Sequence, residues 1–188
     1  LDDGTLRYYG ADGKAPTGWV TSGDDKYYQT NGLVLATGAY AVNGVTYYFG
    51  TDGKLMKAGW VGSIYVLNGV PATGLQQIGG KYYVFSDTGL AYKFEFTYNN
   101  CRYYASSTGV LYTNCFLRRP AGITYYDEQG AARIGWIVRT TGTRYYQSES
   151  YTLLIGRQTV DGVTYFFGST GALSTSDGWA GDYYVQNG

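Results

Sequence analysis

The sequence contains no histidine. That absence removes the imidazole needed for Ser-His-Asp and Cys-His nucleophile activation, and with it histidine metal ligation. Its two cysteines, Cys101 and Cys115, are too few for a structural zinc site. Proline is limited to three residues and no G-x-y period exists, which excludes a collagen-like triple helix. Charge is sparse as well: 15% of residues are charged, against a usual value of about 25%. Lys+Arg and Asp+Glu are both 14, so the net charge is zero. The basic footprint of a nucleic-acid binder is therefore missing, and no polybasic run marks a membrane surface. No apolar stretch approaches the roughly 18 residues that a membrane span needs. The opening LDDGTLRYYG does not read as a signal peptide.

What the chain has in excess is glycine and aromatic rings. Its 188 residues include 29 Gly and 23 Tyr, and aromatics reach 18%. A chain so rich in rings and so poor in charge is not expected to be disordered. The rings recur. An aromatic pair, usually Tyr-Tyr, begins at Tyr8, Tyr27, Tyr47, Tyr65, Tyr82, Tyr103, Tyr125, Tyr145, Tyr165 and Tyr183. A glycine follows most pairs within a few residues, from Gly13 and Gly32 through Gly171 to Gly188. Superimposed on this spacing is an alternation. Odd units carry Gly-Trp, at Trp19, Trp60, Trp136 and Trp179, whereas even units carry Gly38-Ala39, Gly74-Leu75 and Gly156-Arg157. Even units lead into odd ones through AVNGVTYY, QIGGKYY, PAGITYY and TVDGVTYF, which read as connectors. The repeat is thus a pair of units of about 20 residues each, a length typical of repeat architectures.

Each unit reads as a β-hairpin, because Tyr, Phe, Val and Thr favour strands and turn residues punctuate them. Three loop residues ending in glycine, as at Asp12-Gly13, Asp52-Gly53 and Thr170-Gly171, suit a type I turn closed by a left-handed residue. No segment has a helical period. One hairpin alone is marginal in water, so stability must come from stacking on neighbours. The expected fold is all-β, an elongated β-solenoid of about ten hairpins. It is read as a single array over residues 1–188, a fragment of a longer protein, with the first tyrosines facing the interior.

Hairpins of the form GW…G-x-x-YY…G resemble the cell-wall-binding repeats of Gram-positive surface proteins. That superfamily includes choline-binding repeats, glucan-binding repeats of streptococcal glucosyltransferases, and carbohydrate-binding repeats of large clostridial toxins. The resemblance covers nearly the whole chain. It implies a noncatalytic extracellular module, secreted or on a bacterial surface, that binds a polysaccharide or cell-wall polymer and is fused to another domain. Choline-type repeats place a further aromatic before the tyrosine pair. Here that position holds Arg7, Lys26, Thr46, Ile64, Lys81, Arg102, Thr124, Arg144, Thr164 and Asp182. Five are cationic and oppose a quaternary ammonium, so a neutral sugar is the expected ligand and choline-type teichoic acid an alternative.

An aromatic face can cover the C–H face of a pyranose while nearby polar groups fix its hydroxyls. The expected sites pair Trp19 with Tyr28, Trp60 with Tyr65, Trp136 with Tyr146, and Trp179 with Tyr184, each joining a Gly-Trp to the following hairpin. No cofactor, metal or catalytic residue is expected, since Asp127-Glu128 and Asp24-Asp25 do not recur and fit no paired-carboxylate geometry. Arg118-Arg119 reads as a solvated connector. Counting outward from a Ser107-Thr108-Gly109 loop sets Ser106 against Val110, Tyr104 against Tyr112, and Cys101 against Cys115. Opposed strand residues fall within disulfide range, so a bridge inside this hairpin is expected. A ligand-free spacer is the competing reading. Solvent-accessible tryptophan at alternate hairpins is what separates the two.

Overall fold

A computed structural model describes residues 4–186. Its elements are all strands: β1 (Gly18–Ser22), β2 (Asp25–Gln29), β3 (Gly38–Val42), β4 (Val45–Phe49), β5 (Ala58–Val61), β6 (Ile64–Leu67) and β7 (Val70–Pro71) come first. They are followed by β8 (Gly74–Ile78), β9 (Lys81–Phe85), β10 (Phe94–Tyr98), β11 (Cys101–Ala105), β12 (Cys115–Arg119) and β13 (Gly122–Tyr126). The series ends with β14 (Gly135–Val138), β15 (Arg144–Gln147), β16 (Gly156–Val160), β17 (Val163–Phe167), β18 (Gly178–Ala180) and β19 (Tyr183–Val185). Successive strands pair as separate antiparallel hairpins, and the short β7 joins β6. The fold is therefore all-β and made of hairpins, with nine of them among the described residues. The first tyrosine pair, Tyr8-Tyr9, precedes β1 and lies in no paired strand; the turn after it is closed by hydrogen bonds from Gly10 N–H to Lys14 O and from Gly13 N–H to Gly10 O. Gly188 lies outside the described residues.

The hairpin tips differ from the sequence reading. The segments taken for connectors are the tips. Asn43-Gly44 joins β3 to β4, Gly79-Gly80 joins β8 to β9, and Asp161-Gly162 joins β16 to β17. Both central residues of each turn are left-handed, with φ between 50° and 81°. That is the conformation of a two-residue type I′ turn, whose twist matches that of the strands it links. The three-residue glycine loops do form. Gly53 N–H bonds Gly50 O at 3.0 Å and Gly50 N–H bonds Lys54 O at 2.8 Å. These loops support only a single bridge beyond them, such as Phe49 to Leu55. Each repeat is thus a long hairpin followed by a tight return.

The chain divides into two compact units, Leu1–Gln76 with Val84–Tyr92 and Gln77–Tyr83 with Lys93–Gly188. Within each, one hydrogen bond recurs. The residue two places after the left-handed turn residue (Leu33, Gly53, Gly109, Gly130, Tyr151 or Gly171) donates its N–H to a carbonyl at, or up to two residues before, the first tyrosine of an earlier pair. In the first unit Leu35 reaches Leu6 and Leu55 reaches Lys26; in the second, Leu111 reaches Tyr82, Ala132 Arg102, Leu153 Ile123 and Leu173 Arg144, all at 2.7–2.9 Å. Most of these donors have buried side chains. So does the residue that follows the second tyrosine position, such as Gln29, Phe49, Gln147 and Phe167. The first tyrosines do not line the interior as expected. Only Tyr103 among them is buried, and the rest are half-buried or exposed. Alternation does put the first tyrosine and the residue two places on along one strand face. The later residue sits deeper, and the tyrosines keep their hydroxyls near water, as their polar tip favours.

Two of those deep positions hold glutamine. Gln147 is fully buried, accepts a hydrogen bond from Tyr125 N–H at 2.7 Å, and donates to Tyr125 O at 3.3 Å and Arg133 O at 3.0 Å. Gln29 repeats the arrangement with Tyr8 N–H, Tyr8 O and Pro16 O. A primary amide supplies one acceptor and two donors, so each of these glutamines fastens an earlier tyrosine's backbone where phenylalanine elsewhere only fills space.

The cysteines occupy different hairpins. Cys101 pairs with Tyr98, Cys115 pairs with Tyr126, and both thiols are free. The expected bridge is corrected by the register. Ser106 does face Val110, and Tyr112 N–H bonds Tyr104 O at 2.9 Å. Pairing stops there, because left-handed Asn114 turns the chain away and gives its N–H to Asp127 O. Arg119 is likewise no solvated connector. Its guanidinium grips Glu95 through two hydrogen bonds at 2.9 and 3.3 Å and lies 5.0 Å from the Tyr104 ring centroid.

Candidate functional site

The four expected Trp–Tyr pairs are cross-strand partners within one hairpin, not between successive hairpins. Trp19 stands opposite Tyr28, Trp60 opposite Tyr65, Trp136 opposite Tyr146 and Trp179 opposite Tyr184. In each the rings meet edge to face, with centroids 5.1–5.5 Å apart, a favoured aromatic geometry. The preceding glycine lets the strand begin at positive φ, as at Gly18 with φ 92°.

Three of the sites gain a wall that pairwise reading missed. Trp19 also meets Tyr47 at 4.9 Å and Phe49 at 5.9 Å, both from the next hairpin. Trp136 meets Tyr165 at 5.0 Å and Phe167 at 6.1 Å in the same way. Trp60 meets Phe85 at 5.8 Å. The 20-residue period carried this signal, since Tyr47 and Tyr165 are first tyrosines of the unit that follows. Phe116 was missed too. It occupies the tryptophan position of β12, opposite Tyr125, and touches Tyr145 at 4.7 Å.

The indoles are accessible. Trp19 and Trp60 are each 44% exposed and Trp179 is 76% exposed, while Trp136 is half-buried. Beside Trp19 lies a cavity of about 350 Å³ lined by Trp19, Thr21, Lys26, Tyr47, Leu55 and Asn68, among others. It combines two ring walls with amide, hydroxyl and ammonium donors, the mix that small-molecule sites use. At the Trp136 site the residue before the tyrosine pair intervenes directly. The Arg144 guanidinium lies 4.3 Å from the Trp136 ring centroid, so an intramolecular cation already uses that ring face.

The model of the cell wall binding repeat family matches residues 40–55, which span most of β3, its Asn-Gly tip and the return through Gly53. Glucosyltransferase-S of Streptococcus mutans is 34% identical over 140 residues, covering 71% of this chain. The solved structure of CbpJ from Streptococcus pneumoniae is 23% identical, with a TM-score of 0.68 over 90% of this chain and 62% of that one. The choline-binding domain of CbpL from the same species gives 22% identity and a TM-score of 0.63 over 92% and 95% of the two chains. These two structures share the fold. Residues 40–55 thus match a cell-wall-binding repeat, within a chain that shares the fold of these structures.

The chain spans only 8% of the length of Glucosyltransferase-S. In this array the tryptophan stands beside the first tyrosine of the next hairpin at Trp19 and Trp136. The residue before the tyrosine pair places a cation beside the rings: Lys26 lines the cavity at Trp19 and Arg144 lies over the Trp136 ring.

Proposed function

We propose that this chain is a noncatalytic module that attaches a bacterial extracellular protein to a neutral polysaccharide, a glucan-like or cell-wall polymer. The exposed indoles of Trp19, Trp60 and Trp179, each standing against a tyrosine, carry this reading over that of a ligand-free spacer. Exposed tryptophan contributes little to a spacer's stability, whereas an open indole with aromatic neighbours can stack on a pyranose. Lys26 and Arg144 favour sugar hydroxyls, which accept their hydrogen bonds, and disfavour a quaternary ammonium, which they repel. Each site is weak, roughly millimolar, and several acting on one polymer raise avidity. Catalysis, if present, belongs to a fused domain, and the module itself works at the bacterial surface or in the secreted state.

The test is retention on insoluble α-glucan and on purified cell walls, with free choline as competitor. The expected result is binding that choline does not elute and that falls progressively as Trp19, Trp60, Trp136 and Trp179 are changed to alanine. Unaltered retention of the fourfold variant would remove these residues as the binding surface, and complete elution by choline would overturn the neutral-sugar reading.

A further inference from the structure

The hairpin β16–β17 carries arginine where alternate hairpins carry tryptophan. Arg157 stands opposite Phe166 as Trp19 stands opposite Tyr28. Its guanidinium carbon is 4.5 Å from the centroid of Tyr183, the first tyrosine of the next hairpin and the counterpart of Tyr47 beside Trp19. Phe166 and Tyr183 also approach each other, at 5.9 Å. The aromatic surroundings of a tryptophan site are therefore retained, with a planar cation in the place of the indole.

A cavity of about 400 Å³ opens here, lined by Arg157, Thr164, Phe166, Tyr183, Tyr184 and Gln186, with Val185 completing the wall. No carboxylate is among the lining residues. Other arginines of the same unit are committed: Arg102 and Arg119 share Glu95, and Arg133 pairs with Asp127. Arg157 has no ion pair or side-chain hydrogen bond among the described residues, and its side chain is exposed. Stacking on Tyr183 engages one face of the guanidinium and leaves the in-plane N–H donors available. Those donors form a fork that matches carboxylate and phosphate oxygens. The Thr164 hydroxyl and the Gln186 amide stand in the same cavity as further donors.

We propose that Arg157 and its aromatic walls form an oxyanion-binding site, taking an acidic group borne on a sugar or polyol: the carboxylate of a uronic acid or the phosphate of a polyol phosphate. Tyr183, Tyr184 and Phe166 cover the apolar face of the ring or chain that bears the acid. The inference rests on the polymer-binding reading for its setting and adds a charge preference confined to one hairpin.

The experiment is a nuclear magnetic resonance titration of the 188-residue chain with glucuronate, with glycerol 3-phosphate and with glucose, following the ring signals of Tyr183 and Tyr184. Both signals are expected to shift with one or both acids and not with glucose, and added salt weakens the response. The acid that binds more tightly identifies the source of the group. Arg157→Gln is expected to weaken acid binding by at least about tenfold, the loss of a hydrogen bond to a charged partner, and Arg157→Lys to retain part of it. Acid binding unchanged in Arg157→Gln, or acids and glucose acting alike on these rings, overturns the proposal. The same titration on the variant lacking Trp19, Trp60, Trp136 and Trp179 separates the two readings. Acid binding that persists there while glucan retention is already independent of the tryptophans leaves this site standing and the tryptophan surface refuted.

Discussion

Gln147 offers the sharpest test of what holds successive hairpins together. Replacing it by leucine keeps the volume of a buried side chain and removes every polar atom. In the native arrangement the amide makes three hydrogen bonds, to Tyr125 N–H, Tyr125 O and Arg133 O. A net value of about 1 kcal/mol per bond sets the loss at about 3 kcal/mol, and stranded partners raise it by a further 1–3 kcal/mol for each group that water cannot reach. The gain from a more apolar side chain offsets part of that, on the order of 1–2 kcal/mol. A destabilisation of about 2–4 kcal/mol therefore remains, equivalent to a fall in Tm of roughly 5–15 °C for a chain of this size. Thermal unfolding followed by near-ultraviolet circular dichroism reads it, and amide hydrogen exchange at Tyr125 localises it. If Gln147→Leu matched the wild type within about 0.5 kcal/mol, the range of an inconsequential surface change, the glutamine would be mere filler like Phe49 and Phe167, and the latch would be wrong.

Further expectations follow from other contacts. Gly171→Ala places a Cβ 2.7 Å from Leu153 Cδ1 and 2.8 Å from its Cβ at a φ of 83°, so left-handed strain and overpacking together cost roughly 2–4 kcal/mol, seen as a lower urea midpoint. Glu95 is held below its ordinary pKa by the hydrogen bond from Arg119, with the charges of Arg119 and Arg102 adding to it against burial. A depressed folded-state pKa contributes stability above the unfolded value, near 4.3, that is lost as pH falls through the lower folded value; the acid limb of a pH–stability curve should flatten in Glu95→Gln. The unreduced protein should show two titratable thiols by mass spectrometry after alkylation, Cys115 reacting more slowly because burial pushes its thiol pKa up; a single disulfide-linked species would contradict the register around Asn114. Trp60→Ala should cost less than the roughly 3–5 kcal/mol typical of a buried tryptophan, since its ring is already 44% in solvent; a loss in that range would make it a packing residue.

The Trp–Tyr pairings were legible from the recurrence of Gly-Trp before each tyrosine pair, but not that each pair closes a single hairpin. Trp19 and Tyr28 lie an odd number of residues apart across a two-residue tip, whereas Trp136 and Tyr146 lie an even number apart across the longer loop between β14 and β15. What the sequence reading misplaced was the tip. Two turn signals compete in each unit, and the three-residue glycine loop looks as good as Asn43-Gly44 or Asp161-Gly162. Only flanking length decides between them: five residues per strand beside the Asn-Gly tip, against a single bridge beyond the loop. The same ambiguity misled the cysteine count, where a correct loop register was carried past Asn114. The depth of Gln29 and Gln147 was illegible for another reason. Nothing in a polar side chain announces burial, and their partners are backbone groups of an earlier unit, which no side-chain pattern encodes. Phe116 and Arg157 escaped notice as site positions because the alternation was read by residue type, whereas the fold preserves the position and changes its occupant.

The hydrogen bond from the residue after each return to an earlier strand spans 29 or 30 residues wherever it occurs, from Leu35–Leu6 to Leu173–Arg144. A reach that does not grow with chain length has an evolutionary consequence. Duplicating or deleting one module inserts or removes one such stitch and leaves every other loop closure, and its entropy, as it was. Gene-level expansion of these arrays is thus nearly free of folding penalty, and so is drift in what each copy presents. A copy can exchange Trp for Ala, Phe, Glu or Arg at one strand position while the stitches on either side continue to hold. Diversity of surface and constancy of scaffold are then inherited through separate atoms, the first through side chains at the head of each hairpin and the second through main-chain amides.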